Sequence, residues 1–176
     1  MRHPNISHSL IKTPIGEMLM VCSDKGLQGC WFVGQKHFPK NILRTPTQQT
    51  PLSARHHRDA AEELRLYFDN QIDKFNVALD LDHLGTLFQR EVWLSLLNIP
   101  LGQTMSYSDI AHQIKRPNAI RAVGSAIGRN PISIIVPCHR VISKSGALTG
   151  YAGGIERKKF LLTLETDSAQ VKHPRQ

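Results

Sequence analysis

The sequence predicts an α/β domain followed by a mainly helical domain that contains a helix-turn-helix. Short apolar runs separated by turn residues fill the first part of the chain, whereas helical periodicity with cap residues dominates the second. The 176 residues suffice for one ordinary domain or two small ones, and 40% hydrophobic residues can build a core. We expect an N-terminal domain over 1–83, a C-terminal domain over 84–168 and a polar tail over 169–176.

The first domain is predicted to begin with strands. Turn signals at Pro14-Ile15-Gly16 and Asp24-Lys25-Gly26 separate apolar runs there. Prolines and polar residues then predict a loop, apolar spacing predicts a helix, and alternation predicts a further strand. The predicted elements are strands within 9–34, a long loop over 35–57, a helix over 58–68 and a strand over 72–81.

The second domain is predicted to be built from capped helices. Thr86 can cap the first helix, and Ser106 begins a capping-box-like start to a shorter one. The turn Arg116-Pro117-Asn118 then allows Asn118 to cap a second short helix, AIRAVGSAIG. Two short helices joined by such a turn are typical of a helix-turn-helix, although many pairs of this kind do not touch DNA. A buried strand over 132–136 and an amphipathic helix over 155–165, followed by a frayed tail, complete the prediction.

Small side chains distinguish the second helix of this pair. Ala122, Gly124, Ser125 and Ala126 leave little bulk, so the helix backbone can closely approach another helix or a nucleic-acid backbone. Arg121 lies near the start of the same helix, where it is either an exposed salt-bridging cation or a nucleic-acid contact.

Charge and composition narrow the class of protein. The formal net charge is +8, of which residues 1–85 contribute +1 (ten Lys and Arg against nine Asp and Glu) and residues 86–176 contribute +7 (twelve against five). A basic half beside a neutral half indicates a polyanionic partner, although a soluble basic surface is the plainer alternative. Three cysteines, no signal peptide and no run of about 18 apolar residues favour a reduced, cytoplasmic setting without a membrane span.

The stretch IVPCHRVI raises the main chemical question. Cys138 is a nucleophile, a metal ligand or a buried structural thiol. Zinc is disfavoured because no second ligand pair lies nearby, and a structural thiol leaves His139 and Arg140 unexplained. A nucleophile would need a histidine in reach and a carboxylate to orient that histidine. Glu165 is one of five acids in the second half, and the residues alone do not single it out.

Five sequence blocks carry a family resemblance. SYSDIA, RAVGSAIGRNP, PCHRVI, GYAGG and RKKFLLTLE follow one another within residues 86–166. In this order and spacing the chain resembles the O6-alkylguanine-DNA alkyltransferases, or methylated-DNA–protein-cysteine methyltransferases, of the stand-alone bacterial type. The N-terminal half is similar only through TPIG, the CSDKGL turn and the helix before the linker. The resemblance implies a ribonuclease H-like N-terminal domain and a winged-helix-like setting for the helix-turn-helix.

The resemblance also implies an activity and a set of catalytic residues. The family transfers methyl or small alkyl groups from O6 of guanine, and from O4 of thymine, in DNA to a cysteine, irreversibly and once per molecule. Cys138 matches the acceptor, His139 the base that acts through a bound water, and Glu165 the acid that orients it. Asn130 matches the asparagine that completes the network. Tyr107 matches the tyrosine that helps to rotate the nucleotide out and protonates the leaving guanine.

The resemblance further implies a DNA interface and a pocket. Arg121 matches the finger that fills the gap in the base stack, and the small residues Ala122, Gly124, Ser125 and Ala126 match the minor-groove face of the helix. The residues that match the pocket lining are Val141, Tyr151, Ala152 and Gly153. Position 152 is alanine here, so no hydroxyl is available to the base at that place.

The implied partner is alkylated double-stranded DNA, with no cofactor, membrane or obligate protein partner. Some relatives hold a structural zinc in the N-terminal half, but here Gln28 stands where a histidine ligand is expected. Cys22, Cys30, His3, His8 and His83 are the remaining candidates, and we expect no metal. The alternative functions are a damage sensor that binds without repair, which the presence of Cys138 disfavours, and a Cys-His hydrolase, which the charge and the helix pair disfavour.

Overall fold

The computed structural model of the protein describes residues 6–172, with side chains described up to residue 170. It divides into two compact units. The first runs to Leu84 and includes Pro131–Ser133, while the second comprises Gly85–Asn130 and the chain from Ile134 onward. An α/β first unit and a mainly helical second unit confirm the predicted fold class at that level. The division into independent domains at 83 and 168 stays a prediction.

The first unit contains the strands that the turn signals predict. Strands β1 (Ser7–Thr13), β2 (Gly16–Cys22) and β3 (Leu27–Phe32) form an antiparallel sheet in that order. Gly16 and Gly26 adopt positive φ in the two turns, at 125° and 156°. A Cβ on Gly26 would lie 2.5 Å from the carbonyl oxygen of Ala78, so this turn requires glycine. The strand prediction within 9–34 is therefore confirmed.

Helix α1 (Pro51–Phe68) corrects the prediction of a long loop over 35–57. Thr50 and Ser53 form a reciprocal capping box, and Pro51 begins the helix, so the proline that suggested a loop is a helix start. A short 3₁₀ turn also lies at Ile42–Arg44. The helix packs against the sheet with a stripe of buried residues, namely Ser53, His57, Ala60, Leu64 and Tyr67.

The predicted strand over 72–81 is wrong, since only an isolated bridge joins Leu79 to Leu27. The segment still covers the outer edge of β3, because Leu27 N donates to Ala78 O at 2.8 Å. Beside it, Ser23 and Gln28 both donate to the buried carboxylate of Asp80, at 2.5 and 2.8 Å. Gln28 thus acts as a hydrogen-bond donor. Among residues 6–172 no group of three or more His, Cys, Asp or Glu side chains could hold a metal, and His3 lies outside that range.

The second unit is built from four helices and a small sheet. The helices are α2 (Leu87–Leu96), α3 (Tyr107–Gln113), α4 (Ile120–Gly128) and α5 (Ile155–Lys172), and β4 (Met105–Ser106) pairs in parallel with β5 (Val141–Ile142). Thr86 and Ser106 both form capping boxes, as predicted. No helix in the described stretch combines the length and the apolar character that a membrane span requires.

Three predictions for the second half of the chain need correction. Asn118 does not cap α4, since it lies inside a 3₁₀ turn and Ala119 precedes the helix without a side-chain cap. Residues 132–136 form a turn instead of a strand, with Ile134 at a φ of 71°, a strained value for a β-branched residue. Helix α5 continues to Lys172, so the predicted tail 169–176 begins within a helix, and residues 173–176 lie outside the described range.

The Thr86 cap gives a test of local stability. Thr86 Oγ1 accepts from Gln89 N at 3.2 Å, and Gln89 Oε1 accepts from Thr86 N at 2.9 Å. Thr86→Ala should lower the free energy of unfolding by about 1 kcal/mol in urea titrations, since it leaves a helix donor without its partner. Thr86→Ser keeps the oxygen and serves as the control. Equal losses in both variants would show that the cap does not stabilise α2.

Candidate active site

Cys138 begins a 3₁₀ turn (Cys138–Arg140) between Pro137 and β5, and its side chain is buried. The amide of Asn130 reaches it from the loop after α4: Nδ2 donates to Cys138 Sγ at 3.0 Å and to Val136 O at 2.8 Å. One side chain therefore holds both the sulfur and the backbone that precedes it. Because Asn130 is itself buried, this donor is fixed with respect to the thiol.

The two residues after Cys138 both turn to one carboxylate. His139 Nε2 lies 2.8 Å from Glu165 Oε1, and Arg140 donates to both oxygens of Glu165, at 2.8 and 2.9 Å. Arg140 also donates to Ile99 O at 2.5 Å. All three side chains are buried. The predicted pairing of His139 with Glu165 is thus found, while Arg140, to which the sequence assigned no role, is the second partner of the carboxylate.

Glu165 is held as an anion. Burial raises the pKa of its carboxyl, but the hydrogen bonds from His139 and Arg140 and the positive charge of Arg140 outweigh burial and lower that pKa to about 2. Gly102 N also approaches Glu165 Oε2 at 3.4 Å. Gly102 has a φ of 74°, and a Cβ there would lie 2.8 Å from Ala169 Cβ, so only glycine fits this turn against α5.

His139 is held as a neutral ring. Burial lowers the pKa of its imidazole, and this outweighs the attraction of Glu165, while Arg140 and Lys158 lower that pKa further. With a carboxylate at Nε2, the proton of the neutral ring is assigned to Nε2, which leaves a lone pair on Nδ1. Nδ1 is buried and has no hydrogen-bond partner among the described residues. The ring can therefore accept a proton at Nδ1.

The thiol of Cys138 is protonated at rest. Burial raises its pKa to about 11, even though the Asn130 hydrogen bond and the charge of Lys158 favour the thiolate. A free thiolate would be the stronger nucleophile, so the proton must leave as the sulfur attacks. A neutral histidine one residue along the chain is a group suited to take it.

Lys158 is a buried cation that sequence reasoning missed. Its Nζ donates to Val141 O at 2.6 Å and to Thr149 O at 2.9 Å, which ties both ends of the intervening loop to α5. In the structure one face of α5 is buried, formed by Lys158, Leu161, Glu165 and Ser168. Only Leu161 among them is apolar, so the hydropathy pattern carries no signal for this face.

The predicted pocket residues lie in this loop and beside it. Val141 is fully buried, Gly153 is buried, and Tyr151 and Ala152 are half-buried. The ring of Tyr151 meets that of His139 edge-on, with centroids 6.4 Å apart. Arg157 donates to Gly153 O at 2.8 Å, which holds the glycine stretch against the start of α5.

Tyr107 lies at the start of α3, between α4 and the loop. Its hydroxyl is 3.4 Å from Thr149 O, and its ring is 3.7 Å from the point where a Cβ on Gly124 would stand. The tyrosine thus borders the loop that Lys158 holds. No hydrogen bond in the described chain joins Tyr107 to Cys138 or His139 directly.

Helix α4 presents only part of the predicted DNA-facing set. Arg121, Ala122 and Ser125 are exposed and Gly124 is half-buried. Arg121 has no hydrogen-bond or ion-pair partner among the described residues, so its charge is available to a ligand. Ala126 is the correction: it lies on the inner face, and its carbonyl accepts from Trp93 Nε1 at 2.8 Å.

The lowered pKa of Glu165 predicts acid sensitivity. A carboxyl whose pKa is lower in the folded protein stabilises the fold above its unfolded pKa, near 4.5, and that stability is lost as the pH falls toward 2. The loss should be about 2 kcal/mol between pH 6 and pH 3, measured as the free energy of unfolding in urea. In Glu165→Gln this part of the pH dependence should vanish, with lower stability at neutral pH because Arg140 loses its counter-charge. An unchanged pH profile in the variant would contradict the assignment.

The amino-acid sequence is similar to that of proteins of known function. Residues 87–167 match the family model described as the 6-O-methylguanine DNA methyltransferase DNA binding domain. The chain is 45% identical over 160 residues to the methylated-DNA–protein-cysteine methyltransferase of Mycolicibacterium paratuberculosis, covering 91% of this chain and 92% of that protein. The methylated-DNA–protein-cysteine methyltransferase of Methanosarcina barkeri is 41% identical over 162 residues, covering 92% of this chain and 98% of that protein.

Solved structures show the same relation. The crystal structure of Mycobacterium tuberculosis O6-methylguanine methyltransferase superposes with a TM-score of 0.80 at 43% identity, covering 93% of this chain and 94% of that one. Mycobacterium tuberculosis OGT in complex with DNA gives a TM-score of 0.80 at 44% identity, covering 92% and 94%. With identity and coverage of this extent, the chain belongs to the methylated-DNA–protein-cysteine methyltransferase family.

Proposed function

We propose that this protein repairs alkylated DNA by moving a methyl or small alkyl group from O6 of guanine, and from O4 of thymine, to Cys138. One observation carries the proposal: a buried thiol held by Asn130 stands next to a neutral histidine that a buried carboxylate orients. This is the arrangement that an activated cysteine nucleophile requires. Family membership supplies the substrate class.

The reaction balances without a cofactor. The Cys138 sulfur forms a bond to the alkyl carbon as the bond from that carbon to the base oxygen breaks. The thiol proton passes to His139 Nδ1 through a water molecule, which would also hydrogen-bond to this buried nitrogen. Overall, one proton moves from the thiol to the departing base. Tyr107 would donate a proton to the departing base, as the family resemblance implies. The thioether is stable, so each molecule acts once.

Glu165 and Asn130 act through other groups. The Glu165 carboxylate holds the Nε2 proton of His139 and stabilises the ring when Nδ1 becomes protonated. Asn130 donates to the sulfur, which favours the thiolate as it forms. The proposed chain of hydrogen-bonded groups runs from Asn130 to Cys138, through the water to His139, and on to Glu165. Arg140 balances the charge of the Glu165 carboxylate.

DNA would be bound by the helix pair. Helices α3 and α4 with the turn Pro117–Ala119 support a helix-turn-helix, and the pair β4–β5 supports a winged-helix-like relation. The exposed residues Arg121, Ala122 and Ser125, with Gly124, would face the minor groove, where small side chains allow close approach. The target nucleotide would be extruded into the pocket of Val141, Tyr151, Ala152 and Gly153, and Arg121 would occupy the vacated stack. For the first unit, the sheet and α1 support a ribonuclease H-like fold.

Methyl transfer to Cys138 is tested directly by mass. Duplex DNA that carries O6-methylguanine is incubated with the protein, and the peptides are analysed. The expected result is one methyl group on the peptide that contains Cys138, with a stoichiometry near one. Cys138→Ala should bind the duplex with unchanged affinity and gain no methyl group. DNA binding by the natural protein without any methylated Cys138 would instead support a damage sensor.

The role of Arg121 is tested by comparing two substrates. Arg121→Ala should slow transfer from duplex DNA by about tenfold or more, because extruding a nucleotide costs a few kcal/mol that the arginine partly offsets. Transfer from the free base O6-methylguanine, which needs no extrusion, should keep its rate. Arg55→Ala, which removes one exposed arginine from α1, is the charge control. Equal rates for Arg121→Ala and Arg55→Ala on the duplex would contradict the finger role.

A further inference from the structure

The two edges of the antiparallel sheet are covered to different extents. At β3, Leu27 is paired with residues 78–80, and Cys30 N donates to Pro131 O at 2.8 Å while Ser133 N donates to Cys30 O at 2.7 Å. At β1 only the beginning is covered, since Gln48 N donates to Ile6 O at 3.2 Å and His8 N donates to Thr47 Oγ1 at 3.1 Å. Beyond His8 the described chain adds nothing to this edge.

The direction of the backbone groups along β1 follows from His8. Successive residues of a strand direct their N–H and C=O groups to opposite sides, so residues two apart share a side. His8 directs its N–H away from β2, and Leu10 and Lys12 must do the same. No backbone hydrogen bond in the described chain uses the N–H or C=O of Leu10 or Lys12 on that side. These residues offer a short, unpaired ladder to an added strand.

An apolar cavity lies directly beside this ladder. Its volume is about 590 Å³, and it is formed between the end of β1 and helix α1. Ile11, Leu64 and Phe68 supply apolar walls. A strand added to β1 would direct alternate side chains toward α1, so one of them would enter the cavity. The cavity and the free edge therefore describe one binding surface, which we call the β1 edge site (Leu10–Pro14 with Arg58, Leu64 and Phe68).

The charges at the β1 edge site select the occupant. Arg65 pairs with both Glu62 and Asp69, at 2.8 and 2.7 Å, so these three groups carry one negative charge and the lining as a whole, with Lys12 and Arg58, carries a net charge of +1. Lys12 and Arg58 both line the cavity, are exposed, and have no ion-pair partner among the described residues. A second copy paired antiparallel through β1 with Lys12 opposite Lys12 would set like charges against each other, which is unfavourable. An acidic strand would satisfy both cations.

We propose that the β1 edge site binds an extended, acidic peptide segment of a partner protein by β-strand addition. The main chain of the peptide pairs with Leu10 and Lys12, one apolar side chain fills the cavity, and flanking carboxylates meet Lys12 and Arg58. Main-chain bonds supply affinity in this mode and the side-chain pockets supply specificity. The site is separate from the residues proposed for alkyl transfer, so it would serve to bring the protein to a partner.

The test uses a short fluorescent peptide in which glutamate alternates with leucine, and measures its binding by anisotropy at low salt. We expect a dissociation constant on the order of 10–100 µM. Leu10→Pro removes the outward N–H without touching the bonds to β2, and should weaken binding about tenfold or more, whereas Leu10→Ala keeps the donor and should bind normally. The double variant Lys12→Glu with Arg58→Glu should lose the glutamate peptide and gain a peptide in which lysine alternates with leucine.

Three results would overturn the proposal. They are absence of binding to the natural protein, equal binding of the glutamate and lysine peptides, and equal binding by Leu10→Pro and Leu10→Ala. A concentration-dependent dimer that Leu10→Pro abolishes, without peptide binding, would assign the edge to a second copy instead. Methyl transfer to Cys138 and the urea midpoint are measured in every variant, so that a folding defect is recognised. The charge-reversal pair changes only exposed residues and keeps the test valid if the proline variant is unstable.

Discussion

The buried carboxylate of Glu165 is the interaction on which the rest of the site depends. A lone buried carboxylate would be too costly, so it must be matched by donors and positive charge. Arg140 matches it with two hydrogen bonds, and His139 matches it with one. Because these residues directly follow Cys138, satisfying one carboxylate also fixes the backbone that carries the thiol.

Helix α5 gathers the groups that make the thiol reactive. Lys158 and Glu165 project from the same buried stripe, two turns apart: Glu165 binds His139 and Arg140, and Lys158 binds the carbonyls of Val141 and Thr149. The lysine ties the loop that leads to Tyr151, while the glutamate orients the histidine. Burial keeps the thiol and the imidazole neutral at rest, whereas the hydrogen bonds from His139 and Arg140 keep the carboxylate ionised, so the neutral imidazole can take the thiol proton and be stabilised when it does.

The two segments that the sequence wrongly predicts as strands share one physical feature, which is partial or full burial without strand pairing. Strands, capped helices and turns were identified where local signals agree, as at Thr86 and Ser106. The sequence patterns of 72–81 and 132–136 are typical of strands. In the structure each segment makes only one isolated β-bridge to β3, from Leu79 to Leu27 and from Ile132 to Cys30. Alternating or continuous apolar residues indicate that a segment is buried. Burial alone does not distinguish a paired strand from a turn that covers the edge of a sheet.

The sequence by itself determined the order of the elements, the basic second half and the adjacency of Cys138, His139 and Arg140. With the motif blocks it also indicated the family, because a series of short blocks in fixed order is specific even where each block is not. Only the tertiary structure decided that Arg140 and Glu165 are partners, that Lys158 is buried and that Ala126 faces inward. These depend on which helix face meets which loop, a relation between residues distant in sequence that no local pattern encodes.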